Sequence, residues 1–117
     1  VLANAETVGS VKLVTYVADG MEIDAARSLS DRIKAENDDT VAVIAVKSGE
    51  KLNFIAVAGK DAVAHGAHAG KLVGAVAAVT GGKGGGRPDN AMAGGRDLSR
   101  VNEALYSAKS VLEGMIK

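Results

Sequence analysis

Thr40-Val41-Ala42-Val43-Ile44-Ala45-Val46-Lys47-Ser48-Gly49-Glu50-Lys51-Leu52-Asn53-Phe54-Ile55-Ala56-Val57-Ala58 is the stretch on which the architecture turns. Every position from Val41 to Val46 is apolar, the pattern of a strand buried on both faces inside a sheet. Ser48-Gly49-Glu50-Lys51 then reads as a hairpin turn, with Leu52 to Ala58 as the returning strand. Upstream, the β-branched run Val11 to Val17 ends in Ala18-Asp19-Gly20 and reads as a strand followed by a turn. Between the two, Met21 to Asn37 carries Ile23, Ala26, Leu29 or Ser30, and Ile33 at helical spacing. Asp24, Arg27, Asp31, Arg32 and Lys34 lie mostly between them, which is the pattern of an amphipathic surface helix. Strand, helix and strand predict a right-handed crossover with parallel strands, to which the hairpin adds an antiparallel neighbour. Residues 1–10 are small and mixed, and are expected to form a partly ordered lead-in.

Downstream, Gly59 to Gly66 reads as a polar connection with a helical turn at Asp61–Ala64. Ala67 to Val79 predicts a helix with Leu72, Val73, Val76 and Val79 on one side. Gly70 and Gly74 stand four apart on it, a spacing that suits close packing on the sheet or on a partner. A last helix opens at an Asp97 or Ser99 cap. Leu98, Val101, Leu105, Ala108, Leu112 and Met115 form its apolar face, with Arg100, Glu103 and Lys109 on the other. The expected fold is therefore α/β: a single domain over residues 1–117 with a small mixed sheet, in the order β-α-β-β-α-loop-α, and helices packed on it.

The loop in that order is residues 81–97, Gly-Gly-Lys-Gly-Gly-Gly-Arg-Pro-Asp-Asn-Ala-Met-Ala-Gly-Gly-Arg-Asp. Glycine reaches φ > 0 and admits close approach to the main chain, at a large entropy cost when it is ordered. Pro88 fixes its own φ and biases Arg87 towards extended geometry. The stretch reads as an ordered loop between two helices, offering main-chain N–H groups and positive charge to an anion. Lys71, Lys83, Arg87, Arg96 and Arg100, with the backbone of Gly84, Gly85 and Gly86, form the candidate nucleic-acid site. They converge if the two flanking helices lie side by side. The competing reading makes them ordinary solvated cations, with Arg87 paired to Asp89. No Ser or Thr follows Lys83, so the loop is not a Walker loop, and Asp89 replaces the third glycine of a dinucleotide fingerprint. His65 and His68 lack further ligands for a metal and read as surface or capping residues. The serines sit in no nucleophile elbow, and no catalytic constellation is present.

The 117 residues suffice for one core. Aromatics make up 3% of the chain, with no Trp, so base stacking on single strands is disfavoured. Fourteen basic and 14 acidic residues balance, so nucleic-acid binding requires a local patch rather than bulk charge. Cysteine is absent, which fits a cytoplasmic protein. No apolar run approaches the roughly 18 residues of a membrane span. The first residue is Val1 rather than Met, as expected of a piece of a longer chain.

The string Gly81 to Asp89, with Ala91, Ala93-Gly94-Gly95 and Asp97, resembles the glycine-rich signature of the C-terminal domain of bacterial alanyl-tRNA synthetases. The resemblance runs back through Lys71-Leu72-Val73-Gly74 and the strand pair, and forward through Ala104-Leu105, covering nearly the whole chain. A related domain follows the catalytic domain of DHH-type phosphoesterases, where histidine typically follows the triple glycine; Arg87 stands there in this chain and favours the synthetase branch. The resemblance implies an RNA-binding and interaction module that contacts the outer corner of tRNA(Ala) and links aminoacylation with editing. The other synthetase domains are its expected partners, and a homodimer is a further possibility in the family. It also implies no cofactor here, with ATP, Mg and the editing-site Zn held by other domains. The alternatives are a substrate-binding companion of a DHH phosphoesterase and a dimerisation module without RNA affinity.

Overall fold

The computed structural model describes residues 3–8, 11–20, 23–36, 38–49 and 51–116. The strands are β1 (Ala3–Val8), β2 (Val11–Asp19), β3 (Thr40–Ser48), β4 (Lys51–Ala58), β5 (Lys83–Gly86) and β6 (Asn90–Gly95). The helices are α1 (Ile23–Glu36), α2 (Lys60–Ala64), α3 (Ala69–Val79) and α4 (Val101–Met115), the last entered through a 3-10 turn at Leu98–Arg100. Among the described residues the strands form one sheet in the order β1-β2-β3-β4-β6-β5. Only the β2–β3 pair is parallel, as the strand-helix-strand pattern demands; the other pairs are antiparallel.

The expected centre holds. Val41 to Val46 are all buried, because both faces of β3 are covered. On one face α3 and α4 bring Leu72, Val73, Val76, Val101, Leu105 and Leu112 onto Val41, Val43, Phe54 and Ala56. On the other, α1 sets Ala26 and Leu29 over Ile44, Val46 and Ile55. Ser30 is buried as well; its hydroxyl donates to the Arg27 carbonyl at 2.8 Å, which satisfies it inside the helix. Ser48 opposite Lys51 closes the β3–β4 hairpin, with Gly49 at φ 61°.

Two expectations need correcting. Residues 3–8, read as lead-in, are the edge strand β1, running antiparallel to β2 from Ala3 opposite Tyr16 to Val8 opposite Val11. Val8 and Val11 are both buried there, which anchors the strand at its tight end. Residues 1–2 and 9–10 lie outside the described residues. The second correction concerns residues 81–97, which are not a loop: they contain the β5–β6 hairpin. The chain leaves α3 to the far edge of the sheet as β5, then returns as β6 between β5 and β4. Ala91 and Ala93 are buried towards α3, and Met92 packs with the α1-side cluster, so β6 has the alternation of an interior strand.

Candidate nucleic-acid interface

The glycine run is fixed against α3 through main-chain groups. His68 caps the helix, its Nδ1 accepting from the Lys71 N–H at 3.1 Å. The Ala69 N–H donates to the Pro88 carbonyl at 2.7 Å and the Gly70 N–H to the Arg87 carbonyl at 3.1 Å. The Leu72 N–H reaches His68 O at 2.9 Å, so the amides of residues 69–72 all have partners within the chain. Amides at a helix start normally invite anions because they lack such partners; here the hairpin turn occupies the first two and His68 the next two. Further along, Gly74 faces the Gly84 carbonyl, where a Cβ would stand 3.0 Å from the oxygen, and a Cβ on Gly70 would overlap the Gly86 carbonyl. Close packing is thus the reason for the two helix glycines, and it covers what would otherwise be a bare sheet edge.

This changes the reason for the triple glycine. None of Gly84, Gly85 and Gly86 has a positive φ; within the stretch only Gly81 does, at 81°. What forbids side chains at Gly84 and Gly86 is β6, since added Cβ atoms would run into Ala93 and Ala91. Gly85 is different: a methyl carbon there would meet only the Gly70 carbonyl oxygen, at 3.9 Å.

The five cations do not meet at one point. Lys83 and Arg96 flank an open hollow of about 460 Å³ whose remaining lining is Gly81, Gly82, Gly94 and Gly95. Next to it in sequence, the buried Thr80 ties the two strands' ends together: its carbonyl accepts the Asp97 N–H at 3.0 Å and its hydroxyl donates to Ala77 O at 2.8 Å. Arg87 stands at the opposite end of β5, where its carbonyl joins the start of α3 next to the exposed Lys71. Arg100 is engaged elsewhere: Nη2 and Nε donate to the two Glu103 oxygens at 2.9 and 3.0 Å. That hydrogen-bonded pair, both groups exposed, raises the guanidinium pKa and lowers the Glu103 carboxyl. Among the described residues Lys71, Lys83, Arg87 and Arg96 form no ion pair.

Asp89 is not paired to Arg87. Its carboxylate accepts from Lys34 Nζ of α1 at 2.7 Å. The hydrogen bond from Lys34 is the main reason its pKa lies below the ordinary carboxylate value, with a lesser pull from the Arg87 charge. One turn earlier on α1, Asp31 accepts from the Asn90 amide at 3.5 Å. Sequence reasoning missed this contact between α1 and the hairpin, because the partners are 55 residues apart and no local pattern links them. Asp97 turns out to be the cap of the last helical segment, accepting from the Ser99 N–H at 3.0 Å. Among the described residues no three His, Cys, Asp or Glu side chains cluster as a metal site would require. His65 Nδ1 sits 2.7 Å from the Asp61 carbonyl, an oxygen that only an N–H can satisfy. No helix among the described residues is long and apolar enough to cross a membrane.

The DHHA1 domain family matches residues 10–114. The alanine–tRNA ligase of Shouchella clausii is 47% identical over 98 residues, which is 84% of this chain and 11% of that protein. That of Alkaliphilus oremlandii is 41% identical over 112 residues, 96% of this chain and 13% of the relative. The chain therefore spans about an eighth of the length of these relatives. The C-Ala domain of the Aquifex aeolicus alanyl-tRNA synthetase superposes with a TM-score of 0.85 at 31% identity, over 95% of this chain and 99% of that one. A pGpG-specific phosphodiesterase from Vibrio cholerae shares the fold alone, at a TM-score of 0.55 and 9% identity over 36% of its length. With backbone and sequence in agreement over nearly its whole length, this chain belongs to the DHHA1 family, as a C-terminal domain of the alanyl-tRNA synthetase type.

Proposed function

We propose that this chain is the tRNA-binding and interaction module of an alanine–tRNA ligase. It docks on the outer corner of tRNA(Ala) in the cytoplasm and holds one tRNA for both aminoacylation and editing. Catalysis, ATP, Mg and the editing Zn belong to the other domains, which are its partners within the protein. The observation that carries this reading is the superposition on a C-Ala domain over 99% of that domain's length. The charge arrangement supports it. Lys83 with Arg96, and Arg87 with Lys71, offer two sets of cations, without ion-pair partners among the described residues, at the two ends of an exposed glycine strand. Phosphate contacts of this kind set position and orientation without reading bases, and structured RNA is recognised largely by shape and backbone. In this reading Gly84–Gly86 leave the strand without side chains, so a phosphate backbone comes close to β5.

The test is a titration of labelled tRNA(Ala) with the purified chain at two salt concentrations, beside the Lys83→Ala/Arg87→Ala variant. Binding that weakens with salt and weakens further in the variant supports the reading. A concentration-dependent mass without tRNA affinity would replace it with a dimerisation module. Turnover in alanylation or deacylation by the chain alone would overturn its assignment as a non-catalytic module.

A further inference from the structure

We propose that Lys34 is a positioning residue for the RNA-binding hairpin: by holding Asp89 it keeps that carboxylate away from Arg87, whose guanidinium stays available to a phosphate. This rests on the function proposed above and adds to it a residue on a different element. The geometry carries the argument. Asp89 lies two residues beyond Arg87 in the turn, close enough for the Arg87 charge to act on it, yet its Oδ2 is 2.7 Å from Lys34 Nζ and Arg87 forms no ion pair among the described residues.

The ion pair is not needed to build the turn. Four main-chain bonds do that: Arg87 N–H to Asn90 O at 3.0 Å, Ala58 N–H to Asp89 O at 3.0 Å, Ala69 N–H to Pro88 O at 2.7 Å and Gly70 N–H to Arg87 O at 3.1 Å. The Asp89 side chain is 47% exposed and that of Lys34 29%, and ion pairs at the surface contribute little to stability. Removing Lys34 therefore leaves the turn in place and frees an anion beside Arg87. Asp89 then competes with an RNA phosphate for the Arg87 guanidinium. Asp31 of α1, the other carboxylate beside the turn, is occupied by the Asn90 amide at 3.5 Å.

A double-mutant cycle on the full chain separates this from a plain loss of one positive charge. Lys34→Met is expected to weaken tRNA(Ala) binding severalfold in the natural background and to have no effect in the Arg87→Ala background. Lys34→Met/Asp89→Asn is expected to restore binding, and Lys34→Arg to preserve it. Equal losses in both backgrounds would mean a long-range charge effect and overturn the proposal. Carboxyl titration of Asp89 by NMR gives a readout independent of RNA. In Lys34→Met the Asp89 pKa is expected to stay low, and to return to the ordinary range only when Arg87→Ala is added. A return to the ordinary range in Lys34→Met alone refutes the pairing. If the natural chain binds no tRNA, the proposed function fails and the RNA half of this inference with it. The titration still decides whether Lys34 keeps Asp89 from Arg87.

Discussion

A methyl group added at Gly85 and one added at Gly86 meet different surroundings, although the residues are adjacent and both exposed. At Gly86 the new carbon runs into Ala91 of the neighbouring strand, and at Gly84 into Ala93. Forcing atoms into such contacts typically costs ~1–3 kcal/mol. At Gly85 the space is open and φ is not positive, so Ala there should be neutral or stabilise by ~0.4–1 kcal/mol through the unfolded chain. Urea unfolding midpoints of Gly84→Ala, Gly85→Ala and Gly86→Ala should rank accordingly, and equal midpoints would refute the contact argument. The sequence made clear that backbone freedom mattered here, but not which kind. Left-handed φ and close approach both select glycine, and only Gly81 uses the first. Asp89 offers a second test at this scale. Its pKa is depressed in the folded state, so its contribution is present above the unfolded carboxylate pKa and lost as pH falls through the folded one. That window lies below about pH 4. Because the group is about half exposed, Asp89→Asn should lower stability at neutral pH by less than about 1 kcal/mol and flatten the acid limb of a melting-temperature profile.

Ile44 on β3 is 1% exposed between α1 and the sheet, and Leu105 on α4 is 8% exposed on the opposite face. Replacing either by Ala should cost ~2–5 kcal/mol, with Leu105 towards the lower end because its site opens to water. Chemical denaturation checks this; a cost below about 0.5 kcal/mol at both would be surface behaviour and would contradict the packing described. The elements that carry these residues were readable from hydrophobic period alone. Val41 to Val46 can only be an interior strand, and the 3-and-4 spacing from Leu98 to Met115 gives α4 its buried face. The hairpin was not readable, because glycine and alanine have little intrinsic preference for strands. Its pairing comes from β4 on one side and α3 on the other, and such tertiary support leaves no local trace. β1 was missed for a related reason: Asn4, Glu6 and Thr7 give its short edge no apolar run. The cations were named as a set in sequence but could not be placed. Converging helices would have gathered them, whereas a strand between Lys83 and Arg87 holds them apart.

At the scale of the molecule, 14 basic and 14 acidic residues leave no net charge to draw RNA in. Under the proposed function, affinity must come from a small number of phosphate contacts, and the salt dependence reports how many. Each contact contributes a slope of about −0.9 in log K against log salt on a duplex and about −0.7 on a single strand. Lys83 and Arg87 stand four residues apart along β5, roughly 13 Å at strand rise, so one phosphate group does not serve both. Changing both to Ala should therefore remove two separate contacts. The slope should become shallower by about 1.4 to 1.8 and the affinity should fall at low salt more than at high salt. The loss should be similar for unrelated tRNAs, because phosphate contacts carry no base information. Gly85→Val gives the complementary case. The charges remain, the added side chain stands on the exposed strand where an RNA backbone would approach, and affinity should fall with little change in slope. Circular dichroism must first show both variants folded. If it does, and neither affinity nor slope moves in either variant, β5 is a packing device for α3 and the RNA surface lies elsewhere on the domain.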